Sequence, residues 1–175
     1  MAAPAWGVWT MLAPERGFSL LETMVALAIW LVALLALAGV QARALQDARE
    51  AALRSHIDAA VENLAQAIQA RPESHWVHYL ETAYDDHAAS PDCPLQCDPA
   101  RQAEADLSRF KQALRNRSSM AEQARGVVCR GDVKTLPTQA KPGCGAAGPV
   151  SIRVVWRSRH GRSWQEHADV WLLRP

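Results

Sequence analysis

The sequence predicts an α+β fold: one long N-terminal helix packed on the small antiparallel sheet of a head domain. An unbroken apolar run, Phe18 to Val40, passes directly into an amphipathic helical stripe that lasts until Pro72. A short amphipathic helix follows Pro99, and period-two strand patterns are confined to the C-terminal part of the chain. Helices first and strands later favour an antiparallel sheet over a βαβ arrangement. A length of 175 residues suits one globular domain with appendages. The net charge of +1 gives no global attraction to nucleic acid or acidic lipid.

Phe18 to Val40 is 23 residues, about 34 Å of helix, enough to cross a hydrocarbon core of roughly 30 Å. That length exceeds a secretory h-region of about 7–15 residues. Beyond Val40 the chain turns polar but keeps helical periodicity. Leu45, Leu53, Ile57, Val61, Leu64 and Ile68 form one apolar stripe, while Arg43, Asp47, Arg49, Glu50, Arg54, Asp58 and Glu62 occupy the other faces. The helix is expected to stop near Arg71, because Pro72 disfavours helical geometry in its predecessor. The alternative is a pair of helices broken near Gly39.

In the head, Asp98 and Pro99 read as N-cap and first residue of a helix that buries Ala103, Leu107, Phe110 and Leu114. Gly126 to Arg130 reads as a strand. Val150 to Arg157 alternates, with Val150, Ile152, Val154 and Trp156 on one face. Arg159 to Arg162 reads as a turn, and the chain returns as His167 to Leu173, with Ala168, Val170 and Leu172 on one side. Trp156, Trp164 and Trp171 read as core or sheet-face residues, and Trp76 as a contact surface.

Several clusters invite a chemical reading. His75, His78, His87, Cys93 and Cys97 have spacings compatible with zinc. In an exported head the thiols are oxidised instead, so neither metal nor cofactor is expected. Arg109, Lys111, Arg115, Arg117 and Arg125, opposed by Glu122, read as a solvated face; with only Phe110 to stack on bases, no nucleic-acid partner is expected. No nucleophile–base pair or phosphate-binding glycine loop points to an enzyme. The four cysteines, Cys93, Cys97, Cys129 and Cys144, imply two disulfides. Cys129–Cys144 and Cys93–Cys97 are expected, with cross-pairings left open.

Glu22 is the one ionisable residue between Phe18 and Val40. A carboxylate in an apolar helix needs a partner. Cleavage between Gly17 and Phe18 would create an α-amino group one helical turn from Glu22. An axially shifted neighbour could then set its amine against that carboxylate. Gly17-Phe18-Ser19-Leu20-Leu21-Glu22, ahead of Thr-Met-Val-Ala-Leu-Ala-Ile, resembles the type IV prepilin cleavage and methylation motif. The resemblance implies a prepilin peptidase that cuts after Gly17 and methylates the Phe18 amine, with Glu22 setting subunit register. It also implies a single inner-membrane pass with the head in the periplasm, then export into an extracellular fibre. Two starts fit: Met1, with a leader of 17 residues, and Met11, with a leader of seven.

The head narrows the resemblance. Asp106-Leu107, Phe110 and Leu114, then Val127-Val128-Cys129, Gly143-Cys144 and an alternating strand ending in Trp156 are similar to the minor pilin PilV group, the type IV pilus modification proteins. The resemblance implies pilus assembly, adhesion or twitching motility, with other minor pilins and the major pilin as partners. A minor pseudopilin of a type II secretion system is the alternative. The expected organisation is leader 1–17, membrane and assembly half-helix 18–42, amphipathic half-helix 43–71 and head 72–175.

Overall fold

A computed structural model describes residues 19–84, 97–115, 122–160 and 163–174. Helix α1 runs Leu20–Gln69 and α2 runs Pro99–Arg115; the strands are β1 (Glu122–Arg130), β2 (Val150–His160) and β3 (Ser163–Leu172). The fold is α+β and pilin-like, with a long N-terminal helix against a three-stranded antiparallel sheet in the order β1-β2-β3. The chain divides into two compact units, one ending at Leu45 and one beginning at Gln46.

No break occurs at Gly39, since α1 is a single helix. It ends at Gln69, and Ala70 and Arg71 close in a turn before Pro72. Within the second unit, the stripe of Leu53, Ile57, Ala60, Val61, Leu64 and Ile68 is buried. It forms one core with Leu107, Phe110 and Leu114 of α2 and Val128, Ile152, Val154 and Trp156 of the sheet. Leu45, assigned to the same stripe, is exposed; it lies in the first unit, outside that core.

The expected loop after Pro72 contains a 3-10 helix, Glu73–Tyr79. In a 3-10 helix residues three apart share a face, which places Trp76 and Tyr79 together in the core. Trp76 is therefore a core residue, 6% exposed, rather than a contact surface. Tyr79 donates to the Asp106 carboxylate at 2.8 Å; burial and that bond push its phenol up to about 12, so it stays a donor. Asp98 caps α2 by accepting from the Arg101 N–H at 2.8 Å. His56 Nε2 lies 2.9 Å from the Ala113 carbonyl, where only an N–H can serve, and so ties α1 to α2.

The second face of the sheet carries Val127, Cys129 and Val155 under Tyr84. Cys129 and Cys144 form a disulfide across a sequence separation of 15. The enclosed loop is held by Arg153, which is fully buried. Its guanidinium donates to the Thr135 carbonyl at 2.7 Å, the Asp132 carbonyl at 2.9 Å and Ser151 Oγ at 3.1 Å. Gly131 is needed there, because a Cβ would stand 2.7 Å from an Arg153 nitrogen. The strands exceed their expected lengths: β2 continues through Arg159 and His160, where a turn was expected. Gly161 and Arg162, the rest of that turn, lie outside the described residues.

Lys111 and Glu81 form a buried ion pair, 3% and 0% exposed. Glu81 also covers the outer edge of β1: its N–H donates to the Val128 carbonyl at 2.8 Å, and its carboxylate accepts from the Val128 N–H at 3.4 Å. Removing one member of a buried pair is costlier than replacing both. Lys111→Ala is expected to lower the unfolding free energy by about 3 kcal/mol or more, and Lys111→Met with Glu81→Leu by much less. Urea unfolding of the full chain in detergent measures both; equal losses would refute this account of the pair.

Candidate functional site in the N-terminal helix

Ser19 precedes α1 and caps it. The Glu22 N–H donates to the Ser19 carbonyl at 3.0 Å and to Ser19 Oγ at 3.3 Å. Ser19-Leu20-Leu21-Glu22 is the sequence pattern of a capping box, in which the N-cap hydroxyl satisfies the third helical N–H. That signal is present in the sequence, in the same residue whose charge marks the motif. Thr23 Oγ1 donates back to the Leu20 carbonyl at 2.8 Å, fixing the first turn further.

Glu22 is thereby held in the exposed first turn of α1. Around and beyond it the helix is apolar and uncovered. Leu20, Leu21, Met24, Val25, Leu27, Ile29, Trp30 and their successors to Val40 are each more than half exposed. The segment is long and apolar enough to cross a membrane. Among its described residues the first unit thus combines a capped helix start, one carboxylate and an exposed apolar surface.

The other expected sites are distributed as follows. Gly17 and Phe18 lie outside the described residues, as do Cys93, His87 and Arg117. Cys97 is disulfide-bonded. His75 and His78 stand with ring centroids 6.5 Å apart. The basic run is divided among separate tasks: Lys111 is buried against Glu81, Arg109 pairs with Asp106 at 2.8 Å, and Arg125 sits 6.0 Å from the centre of the Tyr84 ring.

One cluster was not anticipated. The Ser158 hydroxyl lies 2.8 Å from His167 Nε2, and Glu50 of α1 approaches the same nitrogen at 3.9 Å. A Ser–His–acid relay uses both ring nitrogens, whereas here both partners meet one. The imidazole stacks on Trp156 of β2 at 5.6 Å, so the cluster mainly joins β3 to β2, with Glu50 as its contact toward α1. Arg54 and Asp169, 3.1 Å apart, tie β3 to α1 directly.

Ser19→Ala is expected to fray the first turn and weaken the helix start by about 1 kcal/mol. Faster amide hydrogen exchange at Leu21 to Thr23 in the full chain, with Leu53 to Ile68 unchanged, checks it.

Residues 12–38 match the model of the prokaryotic N-terminal methylation motif. No curated protein and no solved structure matches the chain. The motif spans both the proposed cleavage point and Glu22, and it joins here to a pilin-like fold, so the chain is a type IV pilin- or pseudopilin-like protein whose N-terminus is of the kind handled by a prepilin peptidase.

Proposed function

We propose that this chain is a minor pilin of the PilV kind that enters a type IV pilus through α1 and takes part in initiating the fibre. The observation that carries the reading is one carboxylate, Glu22, in the first turn of α1, whose stretch to Val40 is otherwise apolar and exposed, inside a methylation motif. In a bundle of such helices, apolar surfaces pack on one another. Glu22 then accepts the α-amino group of Phe18 from an axially shifted subunit, which fixes register.

On this reading the leader ends at Gly17, and Phe18 becomes the methylated N-terminus. The helix crosses the inner membrane with the head in the periplasm, then moves into the fibre beside other minor pilins and the major pilin. A minor pseudopilin of a type II secretion system would use the same N-terminal chemistry. The Cys129–Cys144 loop supports the pilus reading. Recovery of the chain with sheared pili, rather than with the secretion apparatus, separates the two.

The mature chain is expected to have 175 − 17 = 158 residues and a methylated Phe18. Intact-mass analysis of the protein from pili tests this, and a mature terminus at Arg43 would exclude it. Glu22→Ala is expected to leave cleavage and membrane insertion intact while depleting the chain from sheared fibres. Normal incorporation of that variant would remove the registration role.

A further inference from the structure

The hairpin of β2 and β3 overhangs the core. Trp156 and His167 form the last stacked layer, and beyond them every β3 residue from Glu166 back to Ser163 is exposed. The ribbon is held on one flank, where Ser158 is buried and the Gln139 N–H donates to the Glu166 carboxylate at 3.3 Å, and it carries an exposed end beyond that point. Its outer layer pairs Arg159 with Trp164 in register, the guanidinium 5.9 Å from the centre of the indole. Trp164 is 47% exposed and is the largest exposed apolar side chain among the described residues of the head.

The direction of the hairpin follows from its contacts with the head's part of α1. His167 meets Glu50, Asp169 meets Arg54, and the Arg174 carbonyl accepts from Gln69. β3 therefore runs alongside the helix in the same direction, and Trp164 lies toward the Gln46 end. From His167 to Trp164 is about 10 Å of strand, whereas from Glu50 to Gln46 is about 6 Å of helix. The hairpin thus reaches past the point where the head's helix begins. From Gln46 the chain leads within a few residues to Val40, the end of the apolar run.

We propose that Trp164 and Arg159 dock the head on the anionic headgroup surface of the bilayer while the apolar segment is anchored in it. The occupant is argued from chemistry and from chain continuity. Indole rings settle at the headgroup level with the apolar body down and the N–H in the polar layer. Arginine keeps its charge near lipid phosphate while its stem lies along apolar surface. Glu166, the acidic neighbour, is engaged by Arg157 at 3.5 Å and by the Gln139 N–H at 3.3 Å, so Arg159 is the charged side chain of the outer layer among the described residues. Entry into a fibre would then require this contact to release, as the helix leaves lipid.

The inference rests on membrane anchoring of the apolar segment, and the test reads the two separately. The full chain is reconstituted in phosphatidylcholine vesicles, with and without phosphatidylglycerol, carrying bromine on the upper acyl chain to read Trp164 or deep in the acyl chain to read Trp30, which stands near the middle of the apolar run. The Trp164 signal is the fluorescence difference between the chain and its Trp164→Phe variant; Trp30→Phe isolates the anchor in the same way. With phosphatidylglycerol present, Trp164 is expected to be quenched by bromolipid and protected from aqueous acrylamide. Arg159→Gln, an exposed change that leaves the fold intact, is expected to lower the ratio of docked to undocked head about fivefold, the effect of one arginine near an anionic surface. Omitting phosphatidylglycerol is expected to act in the same direction. A Trp164 signal open to acrylamide and blind to bromolipid, with Trp30 quenched, overturns the docking alone. An unquenched Trp30 overturns the anchoring and the docking together.

Discussion

One constraint governs this molecule: a single helix must satisfy two unlike surroundings. In the second unit α1 carries a one-sided stripe, and Leu53, Ile57, Val61, Leu64 and Ile68 disappear under α2 and the sheet. In the first unit the same helix is apolar around its circumference, and its large side chains from Leu20 to Val40 are exposed among the described residues. A helix apolar on all sides is at home in lipid or inside a bundle. The head's stripe is thus covered by the chain's own elements, while the described apolar surface of the first unit stands open to lipid or to neighbouring helices. That division is the physical content of being pilin-like.

The head, in turn, is built to keep its shape while its anchor changes partners. Three matched polar sets run through it. Glu81 and Lys111 join the residues after the 3-10 helix, α2 and β1. Asp106 collects Tyr79, Arg109 and Arg71. Arg153 holds the disulfide loop through backbone carbonyls. Such groups contribute little net stability when replaced by well-packed apolar residues, but a mispaired alternative leaves a buried charge without its partner. They select one arrangement of elements over its neighbours. The apolar core supplies the driving force, and these pairs supply the register.

Periodicity made much of this fold legible. The stripe of α1, the buried face of α2 at Ala103, Leu107, Phe110 and Leu114, and the inward set Val150, Ile152, Val154 and Trp156 follow from spacing alone, because burial acts on whole faces. What stayed hidden depended on tertiary partners. Trp76 looked like a contact surface because it falls in a stretch read as loop, yet a 3-10 turn directs it inward. Trp164 is a sheet residue, as its neighbours suggested, but it lies in the exposed start of β3 rather than in the core. Lys111 looked like one of a row of surface cations until α2 presented it to Glu81. The candidate site was legible as composition, in Glu22 within an apolar run. The cap that holds it was equally visible in Ser19-x-x-Glu22 and needed only to be read as geometry rather than charge.

The cap and the charge act on each other. A helix start concentrates partial positive charge on its unpaired N–H groups, so a carboxylate in the first turn is favoured and a cation is not. In the proposed mature chain the Phe18 amine would stand one residue before the Ser19 cap, a positive group at the positive end of its own helix. Glu22 lies one turn further in, on a backbone whose hydrogen bonds Ser19 has already satisfied in part. Because the cap takes the Glu22 N–H, the carboxylate is not required to order the turn. It remains available to an amine arriving from another helix, in a lipid or bundle setting where an unpaired charge of either sign is costly. Registration then needs no extended polar interface. One acceptor and one amine suffice, because the surrounding apolar surface makes every other pairing of either group unfavourable.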